Sequence, residues 1–349
     1  MVWIKDTIIC LTWFDSNHQI LKMKLQVTIW AVSGWKEYKD TLLREYNFRM
    51  SLFDKLPRLF RRAARRIDRT IADWFFLDQW VILTTAISEL DALAWPNLNP
   101  LVPPPDRYWA DPFVVSRNGM HYIFIEEKIY RQRRGRIACL TLDSNARLLF
   151  SEPILERPYH LSYPFLFEYD EQLYMLPESA ENRSLDVYRC THFPTRWEFV
   201  QTLMSDIYIV DATLLQHDGK WWLFANVKEN QDRSSLDRLF IYYADTPLTD
   251  DWTPHPANPV VDDIRRARPA GAIFTHQGHL IRPSQDSLIR YGRALNFNRI
   301  TKLSSTEYAE VLEKRFEPPP GRHILATHTF NRSDRLAVLD AVIRRRKPR

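Results

Sequence analysis

The chain has 349 residues, 45% apolar and 13% aromatic with 12 Trp, which is enough for one large packed domain plus an appendage. Its net charge of +5 sits in two short segments, +6 over 55–69 and +5 over 344–349, so the main body is mildly acidic and no nucleic-acid partner is expected. Three cysteines, Cys10, Cys139 and Cys190, at no metal-ligand spacing, argue against a disulfide framework, and the lack of a long apolar run or signal peptide leads to an expected cytoplasmic location.

In chain order, residues 1–50 read as an extension of uncertain structure, whose apolar runs 4–14 and 21–32 have the makings of a hairpin. Over 51–74 the apolar positions Leu52, Leu56, Leu59, Phe60, Ala63, Ile67 and Ile71 fall at helical spacing opposite an Arg-rich face, which predicts a basic amphipathic helix. Two readings of 55–69 stay open: peripheral contact with an anionic membrane surface or a partner, or a solvated helix packed on the main domain. The segment 78–85 reads as a strand that could close a ring, and the proline-rich stretch 90–106 as a stiff connector.

From residue 105 onward a strand-turn-strand unit recurs about every fifty residues. Asp111-Pro112-Phe113 leads through Asn118-Gly119, Tyr163-Pro164-Phe165 through Asp170-Glu171, Asp211-Ala212-Thr213 through Asp218-Gly219, and Ala270-Gly271-Ala272 through Gln277-Gly278. A fainter copy spans 324–343. The Asn-Gly and Asp-Gly pairs suit tight hairpins, which need positive φ. A lone hairpin cannot bury its apolar face, so radial stacking of copies at this period predicts an all-β, five-bladed β-propeller over 75–349.

In such a ring the innermost strands begin at a common funnel. Asp111, Tyr163 and Asp211 hold equivalent starting positions, while the second strands end at Glu126-Glu127, Glu178, Asn226 and Arg282 to Asp286. Buried carboxylates from different blades are costly unless bonded or functional, which makes Asp111, Glu178 and Asp211 the candidate catalytic groups. Trp109, Glu127, Ser162, Tyr163, Arg282, Gln285, Asp286 and Tyr291 are the candidate substrate-binding groups. Acids, an amide and aromatic faces suit a sugar. Glu126 and Glu127 alternate along a strand, so one of them is expected to face solvent, and at least one of Trp221 and Trp222 is expected to be blade packing. No nucleotide-phosphate loop, serine-hydrolase elbow or spaced histidine pair is present, so neither a cofactor nor a metal is expected.

The motifs Trp109-Ala110-Asp111-Pro112-Phe113, Ser162-Tyr163-Pro164-Phe165, Leu176-Pro177-Glu178-Ser179, Asp211-Ala212-Thr213-Leu214 and Arg282-Pro283-Ser284-Gln285-Asp286, followed by Tyr291-Gly292-Arg293, together resemble one known family over about residues 75–343. It is the N-terminal domain family of the plant glucosamine inositolphosphorylceramide transferases. The resemblance implies a five-bladed propeller related to furanosidase-type glycoside hydrolases, with Asp111 as base or nucleophile and Asp211 as a tuning acid. In those hydrolases the acid Glu follows the second Asp in chain order, whereas Glu178 precedes Asp211. The plant transferases also carry a C-terminal glycosyltransferase domain, to which no segment here corresponds. The expected function is therefore a carbohydrate-active propeller, transferase-associated or glycosidase-like, acting on a glycan or glycolipid. The alternative is a non-catalytic glycan-binding or scaffold propeller beside a biosynthetic enzyme partner.

Overall fold

The computed structural model describes residues 76–86, 90–229, 234–320, 323–333 and 336–346, together with the strands Val2–Ile4, Thr7–Leu11 and Leu25–Ile29. These three strands form a small antiparallel sheet of their own in a unit spanning Met1–Trp74, with Thr7–Leu11 in the centre. The helix expected over 51–74 lies outside the described residues.

Phe75–Arg349 is a second unit, an all-β propeller of five sheets. The first blade runs Arg107–Arg117, Met120–Ile129, Arg136–Leu142 and Leu148–Leu155. The second runs Ser162–Tyr169, Gln172–Glu178, Ser184–His192 and Arg196–Ser205. The third is Ile209–His217, Lys220–Val227 and Arg238–Ala244, with Thr253–Pro254 and Val261–Asp262 sharing the outer edge. Phe274–His276, His279–Asp286, Ala294–Leu303 and Tyr308–Phe316 make the fourth. Each is a meander of antiparallel neighbours, so every interior strand finds partners on both edges.

The fifth blade joins the two ends of the domain. Ala337–Arg346 pairs on one side with Ile324–Ala326 and Phe330–Arg332, and on the other with Phe76–Thr85. The latter register is unbroken from Ala337 opposite Thr85 to Arg346 opposite Phe76. Asn99–Leu101 completes the sheet, so a strand from before the first blade removes an edge the last would otherwise expose.

The hairpin tips have the backbone their sequences call for. Asn118, Gly119, Asp170, Glu171, Asp218, Gly219, Gln277 and Gly278 all have φ between 49° and 77°. That left-handed geometry matches the right-handed twist of the flanking strands. Apolar side chains fill the interfaces between blades: Phe113, Phe165, Leu176 and Trp221 in one cluster, Ile281, Phe297, Phe330 and Leu339 in another. Burial of each such side chain contributes about 1.5–3 kcal/mol. Trp221 and Trp222 both pack, in different clusters, as strand alternation requires.

Candidate functional site

A recurring backbone device sets up the site. Asp111, Tyr163 and Asp211 have φ of 51°, 42° and 52°, each at a register shift near the start of its innermost strand. A β-bulge with a left-handed residue re-aims that residue and frees its N–H from the ladder. Each freed amide is caught by an acceptor from another position in the ring. Asp111 N–H donates to Asp340 Oδ2 at 3.1 Å, Tyr163 N–H to Asp111 Oδ2 at 3.3 Å, and Asp211 N–H to Glu178 Oε2 at 3.3 Å. In the fourth copy the residue is Gly271, with φ of 131°, and its N–H donates to the Tyr163 hydroxyl at 2.8 Å. Any Cβ at Gly271 would overlap the Phe330 carbonyl, which explains the glycine.

Two cations hold the acids. Arg268 grips Asp211 with two nitrogens, Nε to Oδ2 at 2.5 Å and Nη2 to Oδ1 at 3.3 Å, and its Nη2 lies 3.8 Å from Glu178 Oε2. Gln285 adds Nε2 to Asp211 Oδ2 at 3.0 Å. On the other flank His328 Nδ1 lies 2.6 Å from Asp340 Oδ2 and 3.7 Å from Asp111 Oδ1. The Thr329 hydroxyl donates to Asp111 Oδ1 at 2.8 Å. Trp80 stacks on the His328 ring at 4.1 Å, and Tyr291 meets it edge-on at 5.2 Å while also lying under the Arg268 guanidinium.

Protonation follows from this crowding. Burial raises the Asp111 carboxyl above the ordinary range; His328 opposes that shift, and the charges of Glu126, Asp211 and Asp340 add to it. Burial raises Glu178 still more clearly, reinforced by Asp211 and opposed by Arg268. His328 is pushed up to about 9: burial disfavours its charge, but Asp340 and Asp111 outweigh it. At neutral pH the imidazole is thus a cation, and Glu178, on the Arg268 side of the cluster, is a proton donor. Asp111, His328 and Asp340 place three ligand-type atoms within 4.8 Å of one another, a grouping among the described residues that the sequence spacing did not reveal. At 2.6 Å the Nδ1 to Asp340 Oδ2 contact has the length of an imidazolium–carboxylate pair.

The structure brings Asp111, Glu178, Asp211, Tyr163, Gln285 and Tyr291 into one cluster. Ser162 lies at its edge, opposite Glu178 in the second blade's register. Tyr163 is fully buried, and its hydroxyl bridges Thr213 and Gly271. Tyr291 keeps 42% of its surface exposed, so the cluster reaches solvent beside it.

Four candidates are engaged elsewhere. Trp109 packs with Ile82, Ile123 and Ile125 and donates its indole N–H to Glu127. Glu127 is held by Arg107 and Arg136, with Arg136 Nη2 at 2.6 Å, and those hydrogen bonds lower its carboxyl against the effect of burial. Arg282 is bound by both oxygens of Glu310 at 2.8 Å inside the fourth blade. Asp286 pairs with Arg315 and caps the N–H of Leu288. Nor does either of the paired glutamates face solvent: both are buried, because the Tyr108 hydroxyl and His160 cover Glu126. Arg268, His328, Thr329 and Asp340 are the members that reading the sequence missed. A cavity of about 570 Å³ between the first and fifth blades, lined by Thr84, Asn99, Ser116 and Asn145, lies by the hairpin tips and contains none of these acids.

With the geometry in hand, comparison places the chain among known proteins. A family model for the N-terminal part of glucosamine inositolphosphorylceramide transferase 1 matches residues 81–327. The transferase 1 of that name from Oryza sativa subsp. japonica is 35% identical over 229 residues, and that from Arabidopsis thaliana 33% over 232; each match covers 62% of this chain. The matches span only 30% of the plant proteins' length. Among solved structures, an α-L-arabinofuranosidase from Podospora anserina superposes with a TM-score of 0.50 at 10% identity, over 67% of this chain and 90% of that one, a likeness of fold. The chain belongs to the family of glucosamine inositolphosphorylceramide transferase 1 N-terminal domains.

Proposed function

We propose that this propeller is carbohydrate-active and works at a glycosidic bond of a glycan or glycolipid. The observation that carries the reading is the convergence of Asp111, Glu178 and Asp211, from three blades, on one cluster held by Arg268 and His328. The plant relatives' name points to a sugar-bearing sphingolipid, and we take a glycolipid as the substrate class.

In this reading Glu178, kept protonated by burial, gives its proton to the departing glycosidic oxygen. Asp111, once ionised, takes the proton of the attacking hydroxyl, and Thr329, the Tyr163 amide and His328 fix its orientation. Asp211 serves chiefly to hold Arg268 in place. The test is turnover of a panel of sugars and glycolipids by the full chain. Asp111→Asn, which keeps a residue that tolerates φ near 50°, should lower the rate by about 10²–10⁴-fold with the fold intact. Undiminished turnover in that variant overturns the catalytic assignment.

A second reading rests on a specific observation. Both oxygens of Asp111 and both of Asp211 already accept hydrogen bonds from the protein. A glycan-binding propeller working beside a biosynthetic enzyme would show saturable sugar binding without turnover, weakened by Tyr291→Ala; calorimetry separates the two.

A further inference from the structure

The segment after the Asp286 carboxylate, which joins the inner and outer halves of the fourth blade, carries Tyr291 into the acid cluster and turns its other apolar side chains outward. Leu288 is 54% exposed and Ile289 85%. Isolated apolar residues on a surface are ordinary, but two in succession at the lip of a site, with a cationic patch beside them, are not. Arg290 reaches Asp78 at 3.7 Å, and Arg344 grips the same carboxylate at 2.7 and 2.9 Å. Arg345, next along that strand, bonds to Gln79 and bears on the Tyr130 phenol. Tyr130, itself 43% exposed, donates its N–H to the Asp106 carbonyl, and Arg131 bears on the Asp106 carboxylate. Chain neighbours, ion pairs and longer-range charge effects thus link Ile289 to Arg131, with Arg344 and Arg345 on alternate faces of their strand, and arginines outnumber the two acids along the way.

We propose that this lip, with Leu288 and Ile289 as the inserted tip and Arg290, Arg345 and Arg131 as the flanking cations, docks on an anionic lipid bilayer. The charge complementarity selects the partner. A soluble protein would need a matching acidic surface of defined shape, whereas a bilayer offers anionic headgroups for the arginines and an apolar layer for the exposed Leu288 and Ile289. Docking there places the acid cluster at the level of headgroup sugars. The proposal rests on the glycolipid reading for its purpose but on the lip's own exposure and charge for its evidence.

Co-sedimentation of the full chain with vesicles of phosphatidylcholine alone, or mixed with phosphatidylserine, tests it at low and raised salt. Binding is expected to the mixed vesicles only, and to weaken with salt. Ile289→Asp should reduce partitioning about tenfold. Arg131→Glu, on an exposed loop, should reduce it at least about fivefold, with the thermal midpoint unchanged. No binding to the mixed vesicles overturns the proposal. So does binding that both variants leave intact, since the basic segment 55–69 would then be its carrier. Ile289→Asp should still bind or turn over a soluble sugar, so loss of docking and loss of the sugar reading remain separate results.

Discussion

Two buried arginines, fourteen positions apart, do opposite jobs. Arg282 sits wholly inside the fourth blade, where Glu310 meets it with both oxygens, the carbonyls of Arg266 and Ala267 take further N–H groups, and the Tyr308 hydroxyl completes Glu310. One cation there faces one anion. Arg268 instead joins Asp211 of the third blade to Glu178 of the second, and with His328 faces Asp111 and Asp340 as well. Here acids exceed cations, and the excess is held as protons on Glu178 and Asp111. A balanced buried pair is masonry, whereas an unbalanced one stores protons that chemistry can use.

Four experiments press on that contrast. Arg282→Ala should cost most, about 3–5 kcal/mol in denaturant unfolding, because it strands Glu310 in the blade interior. Arg282→Met with Glu310→Leu should recover most of the loss. An unmoved midpoint in Arg282→Ala would refute the balanced-pair view.

His328 comes next. Its folded pKa of about 9 exceeds the ordinary 6.5, so its contribution is fully present below about pH 6.5 and lost as the pH rises through about 9. The difference is on the order of 3 kcal/mol. Stability measured across that window should fall in the native protein and flatten in His328→Gln.

Arg268→Met should cost about 2 kcal/mol at neutral pH, less than Arg282→Ala, since Gln285 still donates to Asp211 and the cluster can take up a proton in place of the cation. The deficit should shrink as the pH is lowered, whereas a purely steric defect would not change with pH. Tyr163→Phe is the mildest. It takes the acceptor from the Gly271 N–H and should cost about 1–2 kcal/mol by thermal melting.

The propeller was legible in the sequence because hairpin turns and alternating apolar runs are local signals, and they recur in order. The equivalence of Asp111, Tyr163 and Asp211 was legible for the same reason, and all three carry the same left-handed bulge. What stayed hidden depends on contacts remote in sequence. Asp340 meets Asp111 across 229 positions, and Arg268 meets Asp211 across 57. Arg268 precedes the strands of the fourth copy and His328 lies between the short strands Ile324–Ala326 and Phe330–Arg332 of the fifth, where no spacing marks either. Glu126 and Glu127 mark the opposite limit: alternation showed that they point to different sides, but only the neighbouring Arg136 and Tyr108 determine that both sides are interior.

The pairing of Phe76–Thr85 with Ala337–Arg346 has a bearing on biogenesis. Synthesis proceeds from the N-terminus, so the earlier strand must wait, with only the short Asn99–Leu101 beside it, until the four intervening blades and Ala337–Arg346 have emerged. Asp340 belongs to that late strand, and the Asp111 amide bonds to it. A nascent chain that has not yet reached Ala337 therefore lacks one wall of its acid cluster, so proton-handling capacity arrives only with the last blade.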